Sequence, residues 1–209
     1  MSPLETLNHY LDQCPLVAII RGVTPEEVEA IGDAIFGAGI RIIEVPLNSP
    51  QPLKSIERLA ARCGDRALVG AGTVLRVEQV ADVRAAGGRI IVSPSTNPDV
   101  IAATASAGLV SSPGYFTPSE AFAAIDAGAT ALKLFPAEGA SPAVLKAQLA
   151  VLPNHVPVMV VGGVKPDTMQ PWLAAGAAGF GLGGGLYQHG QSPQATAEKA
   201  RAYVAGVRG

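Results

Sequence analysis

Cysteine is nearly absent from this chain: Cys14 and Cys63 are the only two, and neither belongs to a Cys-x-x-Cys motif. They read as reduced core thiols of a cytosolic protein rather than as a disulfide framework. Charge is also scarce. Only 15% of residues are charged, the net charge is −2, and no dense basic cluster occurs, so no nucleic-acid partner is expected. Histidine occurs three times, as His9 in an N-terminal helix, His155 in a loop and His189 past the last strand. None neighbours another metal-ligand type at useful spacing, so no metal site is expected and all three read as surface or edge residues. Met1 to Gln13 carries Glu5 and Asp12 and lacks the apolar core of a signal peptide. The richest apolar stretches are broken by Gly and Pro, which argues against a membrane span. No serine sits in a Gly-x-Ser-x-Gly elbow. These absences leave a soluble, cytoplasmic protein.

Apolar residues make up 48% of the chain, enough for one large core in a single domain over residues 1–209. A short phrase recurs, Ala-Gly followed by an apolar run of strand length, at Ala38-Gly39, Ala86-Gly87, Ala107-Gly108, Ala127-Gly128 and Ala175-Gly176. Cys63-Gly64 and the region of Pro153-Asn154 fill two gaps in the series. Each glycine suits a helix C-terminus, and each following run suits a buried parallel strand. The runs are 41–45, 67–71, 89–92, 109–112, 130–134, 157–161 and 178–182, and 16–20 adds an eighth at the start. Helix start signals lie between them: Thr24-Pro25-Glu26-Glu27, Asn97-Pro98-Asp99, Thr117-Pro118-Ser119-Glu120, Ser141-Pro142 and Lys165-Pro166-Asp167. Eight strand-helix units predict an α/β fold, a closed (β/α)8 TIM barrel. An extra N-terminal helix, with Leu4, Leu7 and Leu11 on one side, would close its bottom. The alternative is an open doubly wound sheet, but Arg21-Gly22-Val23-Thr24 stands where its dinucleotide fingerprint belongs.

In such a barrel, chemistry gathers at the C-terminal ends of the strands, and alternate strand residues face inward. The run Ala131-Leu132-Lys133-Leu134-Phe135-Pro136 then turns Lys133 inward. Burial drives a lysine toward its neutral amine, the form that attacks carbonyl carbons to make Schiff bases. The plain alternative is a lysine that snorkels to solvent at a strand end. In Arg41-Ile42-Ile43-Glu44-Val45-Pro46, Glu44 is a second inward charge. It is either a proton-transfer group or the partner of Lys133 or Arg21 in an ion pair that only fixes the barrel. Arg21 follows the first strand, and Thr73 follows the third after Gly70-Ala71-Gly72. Gly162-Gly163 follows the seventh strand, and Gly181, Gly183, Gly184 and Gly185 surround the eighth. Glycine pairs at these two positions suit a phosphate held on backbone N–H groups.

The chain resembles the bacterial class I aldolases acting on 2-keto-3-deoxy-6-phospho sugar acids. The likeness rests on Arg41–Pro46 with Glu44, Gly70-Ala71-Gly72-Thr73-Val74, Leu132-Lys133-Leu134-Phe135-Pro136 and Val161-Gly162-Gly163-Val164. These occur in family order, and the likeness covers nearly the whole chain. Within the family, Ile43-Glu44-Val45-Pro46-Leu47-Asn48-Ser49-Pro50 looks most like the 6-phosphogalactonate branch. The gluconate branch usually has an arginine where Asn48 stands and a threonine where Val161 stands. The resemblance implies reversible cleavage of 2-dehydro-3-deoxy-6-phosphogalactonate to pyruvate and glyceraldehyde 3-phosphate, with no cofactor, in a homotrimer. It implies Lys133 as the Schiff-base lysine and Glu44 as the proton shuttle. Arg21 and Thr73 would hold the substrate's carboxylate end or neighbouring oxygens, and whether Arg21 takes carboxylate or phosphate is left open. Gly162, Gly163, Gly183 and Gly184 would hold the phosphate, Phe135 would wall the pocket, and Val161 would face the C4 hydroxyl. One departure stands out, because the family commonly has a phosphate-holding serine where this chain has Gly184. Three rivals remain on residues alone: the gluconate epimer as substrate, another phosphate-binding barrel enzyme in which Lys133 only contacts charge, and a non-catalytic sugar-phosphate-binding barrel.

Overall fold

The structure, a computed structural model, describes residues 1–209. Helix α1 (Pro3–Leu11) precedes strand β1 (Leu16–Ile19), and strands and helices then alternate to the end of the chain. The sequence continues through α2 (Val28–Ala38), β2 (Ile42–Pro46), α3 (Pro52–Cys63), β3 (Leu68–Gly72), α4 (Val77–Ala85), β4 (Ile90–Val92) and α5 (Pro98–Ser106). It continues with β5 (Val110–Ser112), β6 (Gly114–Tyr115), α6 (Pro118–Asp126), β7 (Leu132–Leu134), α7 (Pro142–Leu149), β8 (Val158–Val161), α8 (Met169–Ala174), β9 (Gly179–Leu182) and α9 (Pro193–Arg208).

The nine strands run parallel in the order β5-β4-β3-β2-β1-β9-β8-β7-β6. Nine appear where eight are expected because Pro113, which has no N–H to give a ladder, splits the fifth barrel strand into β5 and β6. The ring closes across that break. Ala131 N–H donates to the Ser111 carbonyl (3.0 Å), and Lys133 N–H donates to the Pro113 carbonyl (2.9 Å). The result is the expected TIM-like barrel.

Two apolar layers follow from the period of two along each strand. Val17, Ile19, Ile42, Leu68, Ile90, Val92, Val110, Ala131, Met159 and Val161 fill the barrel interior, and Leu7, Tyr10 and Leu11 of α1 plug its lower end. Their neighbours Leu16, Ala18, Ile43, Val45, Val69, Leu132, Leu134, Val158 and Val160 pack outward against the helices. The glycine of each Ala-Gly phrase takes positive φ, from 71° to 112°, where it closes a helix, as the repeat predicts. Asn97, Thr117 and Ser141 cap their helices through their side chains as expected. The Thr24 signal behaves differently. Thr24 N–H and Oγ1–H both donate to the Glu27 carboxylate (3.2 and 3.1 Å), which closes a turn and delays α2 to Val28. Lys165-Pro166-Asp167 opens a short 3-10 turn, Pro166–Thr168, ahead of α8. Cys14 and Cys63 are free and buried, and no helix is long and apolar enough to cross a membrane.

Candidate active site

Lys133 and Glu44 enter from opposite sides of the ring, from β7 and β2, and both point to its axis. They are 8% and 2% exposed. The Gly-Ala-Gly motif of β3 explains how a carboxylate fits there. Gly70 lies beside Glu44 in register, Ala71 packs outward, and a Cβ on Gly72 would overlap the Glu44 carboxyl group. Glycine is required at 72 by this close approach. Below the two charged groups lies a small void of about 20 Å³, lined mostly by apolar residues such as Val17, Ile90, Val92 and Met159, with Ser112 the one other polar side chain.

The charges do not pair. The chain's ion pairs are Arg58–Glu29, Arg62–Asp33 and Arg89–Asp65, all away from the barrel axis, and Glu44 Oε2 has no hydrogen-bond partner. Burial pushes the Glu44 carboxyl up to about 7, against the pull of Lys133 and Arg21. Burial likewise pushes the Lys133 ammonium below the ordinary lysine range, opposed by Glu44 and aided by Arg21. The Phe135 ring covers the amine, with Nζ 4.7 Å from its centroid.

Above this floor opens a cavity of about 640 Å³. Arg21, Thr73, Lys133, Phe135 and Val161 line it, as do Gly162, Gly163, Gly183 and Gly184. Every expected site residue except Glu44 therefore reaches the open cavity. Glu44 lies one layer down and borders the small void together with Lys133 and Val161.

Local structure fixes several of these groups. Thr73 has φ 57°, a left-handed conformation that β-branched residues rarely adopt, so backbone strain is held at the mouth of the site. Arg21 Nη1 donates a short hydrogen bond to Asn48 Oδ1. An arginine at 48 would set two guanidinium groups side by side, whereas Asn48 anchors Arg21. Gly22 N–H donates to the buried Ser49 Oγ (2.9 Å), which ties the same loop to the end of β2.

The cavity also holds residues that the sequence reading passed over. Glu138, in a 3-10 turn over Ala137–Gly139, lays its carboxylate against Gly162 and Gly163, at the expected phosphate cradle. Lys165 lines the rim, and so does His189, read from sequence as a surface or edge residue. His189 is exposed, as that reading has it, but it borders the site.

A buried, unpaired lysine and glutamate at the floor of a glycine-rimmed barrel mouth suit a carbon–carbon lyase of the α/β-barrel aldolase class. The chain belongs to the KDPG and KHG aldolase family, whose pattern it matches over residues 7–197. It is 46% identical to the 2-dehydro-3-deoxy-6-phosphogalactonate aldolase of Escherichia coli strain K12, over 93% of this chain and 95% of that one. A solved structure described as native KDPGal is 45% identical, with a TM-score of 0.92 over 94% of this chain and 95% of that chain. A further structure is a cube-shaped, highly porous protein cage designed by fusing symmetric oligomeric domains. Its chain is 46% identical, with a TM-score of 0.91 over 93% of this chain and 72% of that one.

Proposed function

We propose that residues 1–209 act as a single aldolase domain that cleaves 2-dehydro-3-deoxy-6-phosphogalactonate to pyruvate and glyceraldehyde 3-phosphate. The observation that carries this reading is the unpaired, buried Lys133–Glu44 constellation in a largely apolar layer at the floor of an open cavity. Lys133, its ammonium form disfavoured by burial, attacks the C2 ketone as the neutral amine. Glu44 gives a proton to the departing carbinolamine hydroxyl, and water leaves to form the protonated Schiff base. The C3–C4 bond breaks as its electrons flow into the iminium to give an enamine, and Glu44 takes the proton from the C4 hydroxyl. Glyceraldehyde 3-phosphate departs. Glu44 returns that proton to C3 of the enamine, and water adds to the resulting iminium to release pyruvate and the free amine. A carboxyl held near pH 7 suits a group that must give and take a proton in one cycle.

Arg21, anchored by Asn48, and Thr73 hold the anionic carboxylate end or its neighbouring oxygens. Gly162, Gly163, Gly183 and Gly184 receive the phosphate, and Phe135 keeps the amine dry. The galactonate branch is supported by Val161, which offers the C4 hydroxyl no hydrogen bond, by Asn48 and by the identity to the Escherichia coli relative. The substrate is thus a phosphorylated keto acid, and no cofactor is needed because the iminium is itself the electron sink. We further propose a homotrimer working in the cytoplasm. The cage built from symmetric oligomeric domains supports assembly, and the free buried thiols support a reducing compartment.

The test is cleavage of both epimers, read as pyruvate release coupled to lactate dehydrogenase. An apolar wall discriminates by about 10- to 200-fold, so a clear but incomplete preference for the galactonate epimer is expected, and Val161→Thr should narrow it. A wild type preferring the gluconate epimer by tenfold would overturn the branch and leave an aldolase. Binding of both without pyruvate release would overturn the aldolase.

A further inference from the structure

Nothing in the backbone demands glycine at 184. Its φ is not in the left-handed region, and a Cβ there would meet no atom within 4 Å. A serine would fit. Where the family commonly offers a hydroxyl to the phosphate, this chain therefore lacks a donor without gaining any packing. The neighbouring Gln188 side chain is turned toward the backbone here, with Nε2 giving one of its two N–H groups to the Gly184 carbonyl (3.3 Å).

His189 lines the same cavity as Gly162, Gly163, Gly183 and Gly184. Its only hydrogen bond joins Nδ1 to the Gly22 carbonyl (2.8 Å). A carbonyl oxygen cannot donate, so Nδ1 carries the proton, and that contact fixes the ring and its tautomer. Nε2 has no protein partner. The same contact ties the β9–α9 loop to Gly22, the residue after Arg21, so the ring is braced by the loop that carries the site's arginine. The remaining charged groups on the cavity wall are Arg21, Lys133, Lys165 and Glu138. Glu138 opposes an anion at the glycine cradle, which raises the need for a further hydrogen-bond partner there.

We propose that His189 is a phosphate-binding residue of this chain, its Nε2 making the side-chain hydrogen bond to the phosphate that Gly184 cannot make. The inference rests on the aldolase reading for the identity of the ligand but not for the chemistry of the site. A phosphate monoester that carries its own acidic hydrogen donates that O–H to the Nε2 lone pair, while Nδ1–H stays on Gly22.

Two variants separate binding from bracing. His189→Asn keeps a donor where Nδ1 stands and removes Nε2. His189→Gln places an amide nitrogen near Nε2 and gives up the Gly22 contact. Inorganic phosphate is titrated calorimetrically into wild type and both variants. Aldol condensation of pyruvate is then followed with glyceraldehyde 3-phosphate and with unphosphorylated glyceraldehyde. His189→Asn should weaken phosphate binding and raise KM for glyceraldehyde 3-phosphate by about tenfold, the scale of one hydrogen bond to a charged group. It should leave kinetics with glyceraldehyde unchanged, and His189→Gln should keep most of the affinity. Unchanged phosphate affinity in His189→Asn overturns the proposal. So does an equal loss with both aldehydes, which marks a brace. Weakened phosphate binding in His189→Asn, together with a wild type that condenses neither aldehyde, would uphold the binding role and overturn the aldolase reading instead.

Discussion

Replacing Glu44 by glutamine tests the buried carboxyl in two ways at once. Glu44 is 2% exposed, Oε2 has no partner, and burial raises it from its ordinary 4.5 to about 7. Between those two values the folded protein keeps a proton that the unfolded chain has lost. Stability therefore falls as pH rises through this window, and the loss is complete above pH 7. At about 1.4 kcal/mol per tenfold change in ionisation, the carboxylate costs the fold about 3 kcal/mol above pH 7 and nothing below about pH 4.5. Glu44→Gln removes the titration and keeps the shape. Its stability relative to wild type should improve by up to about 3 kcal/mol between pH 5 and pH 8, or about 6–12 °C in Tm for a chain of this size. Thermal and urea unfolding across that range measure it. An ion pair with Lys133 or Arg21 would give the opposite trend, with the wild type gaining on the variant as pH rises, and that result would refute the argument. On the same variant, turnover should drop by roughly 10² to 10⁴-fold while pyruvate still forms its adduct with Lys133. A stable variant that keeps most of its rate would remove Glu44 from the chemistry.

Because the iminium accepts the electrons of the breaking bond, activity should survive exhaustive EDTA treatment, and a loss that zinc or magnesium restores would contradict a Schiff-base route. Glu138→Gln should tighten inorganic phosphate by about two- to fivefold, as expected for removing one exposed like charge beside the cradle, and unchanged or weaker binding would show that the carboxylate does not oppose the anion.

Much of this architecture is legible in the chain because parallel strands and short helices leave strong periodic marks. Strand starts are expected a residue or two early at Arg41, Ala67, Arg89, Thr130 and Pro157. The ladders begin at Ile42, Leu68, Ile90, Leu132 and Val158, where each strand gains a neighbour in register. Pro113 interrupts a strand whose pattern otherwise continues to Tyr115. The inward pair Lys133 and Glu44 follows from alternation alone, but their separation does not. Only the geometry shows that they face each other without an ion pair and that Glu44 lies beneath the open cavity. Glu138 and His189 are missed because neither carries a motif. His189 meets Gly22 across 167 residues of sequence, a contact that only the closed ring creates. The one available signal is the glycine at 184, which neither a positive φ nor close packing requires, in the loop proposed to receive the phosphate.

The central claim is that the Lys133 amine is the nucleophile. Incubation with pyruvate and sodium borohydride, followed by intact-mass measurement and peptide mapping, tests it most directly. A single reduced pyruvate on Lys133, absent from a folded Lys133→Ala variant that also lacks turnover, is the predicted result. An unmodified chain, or a label on Lys146 or Lys165 instead, would contradict it.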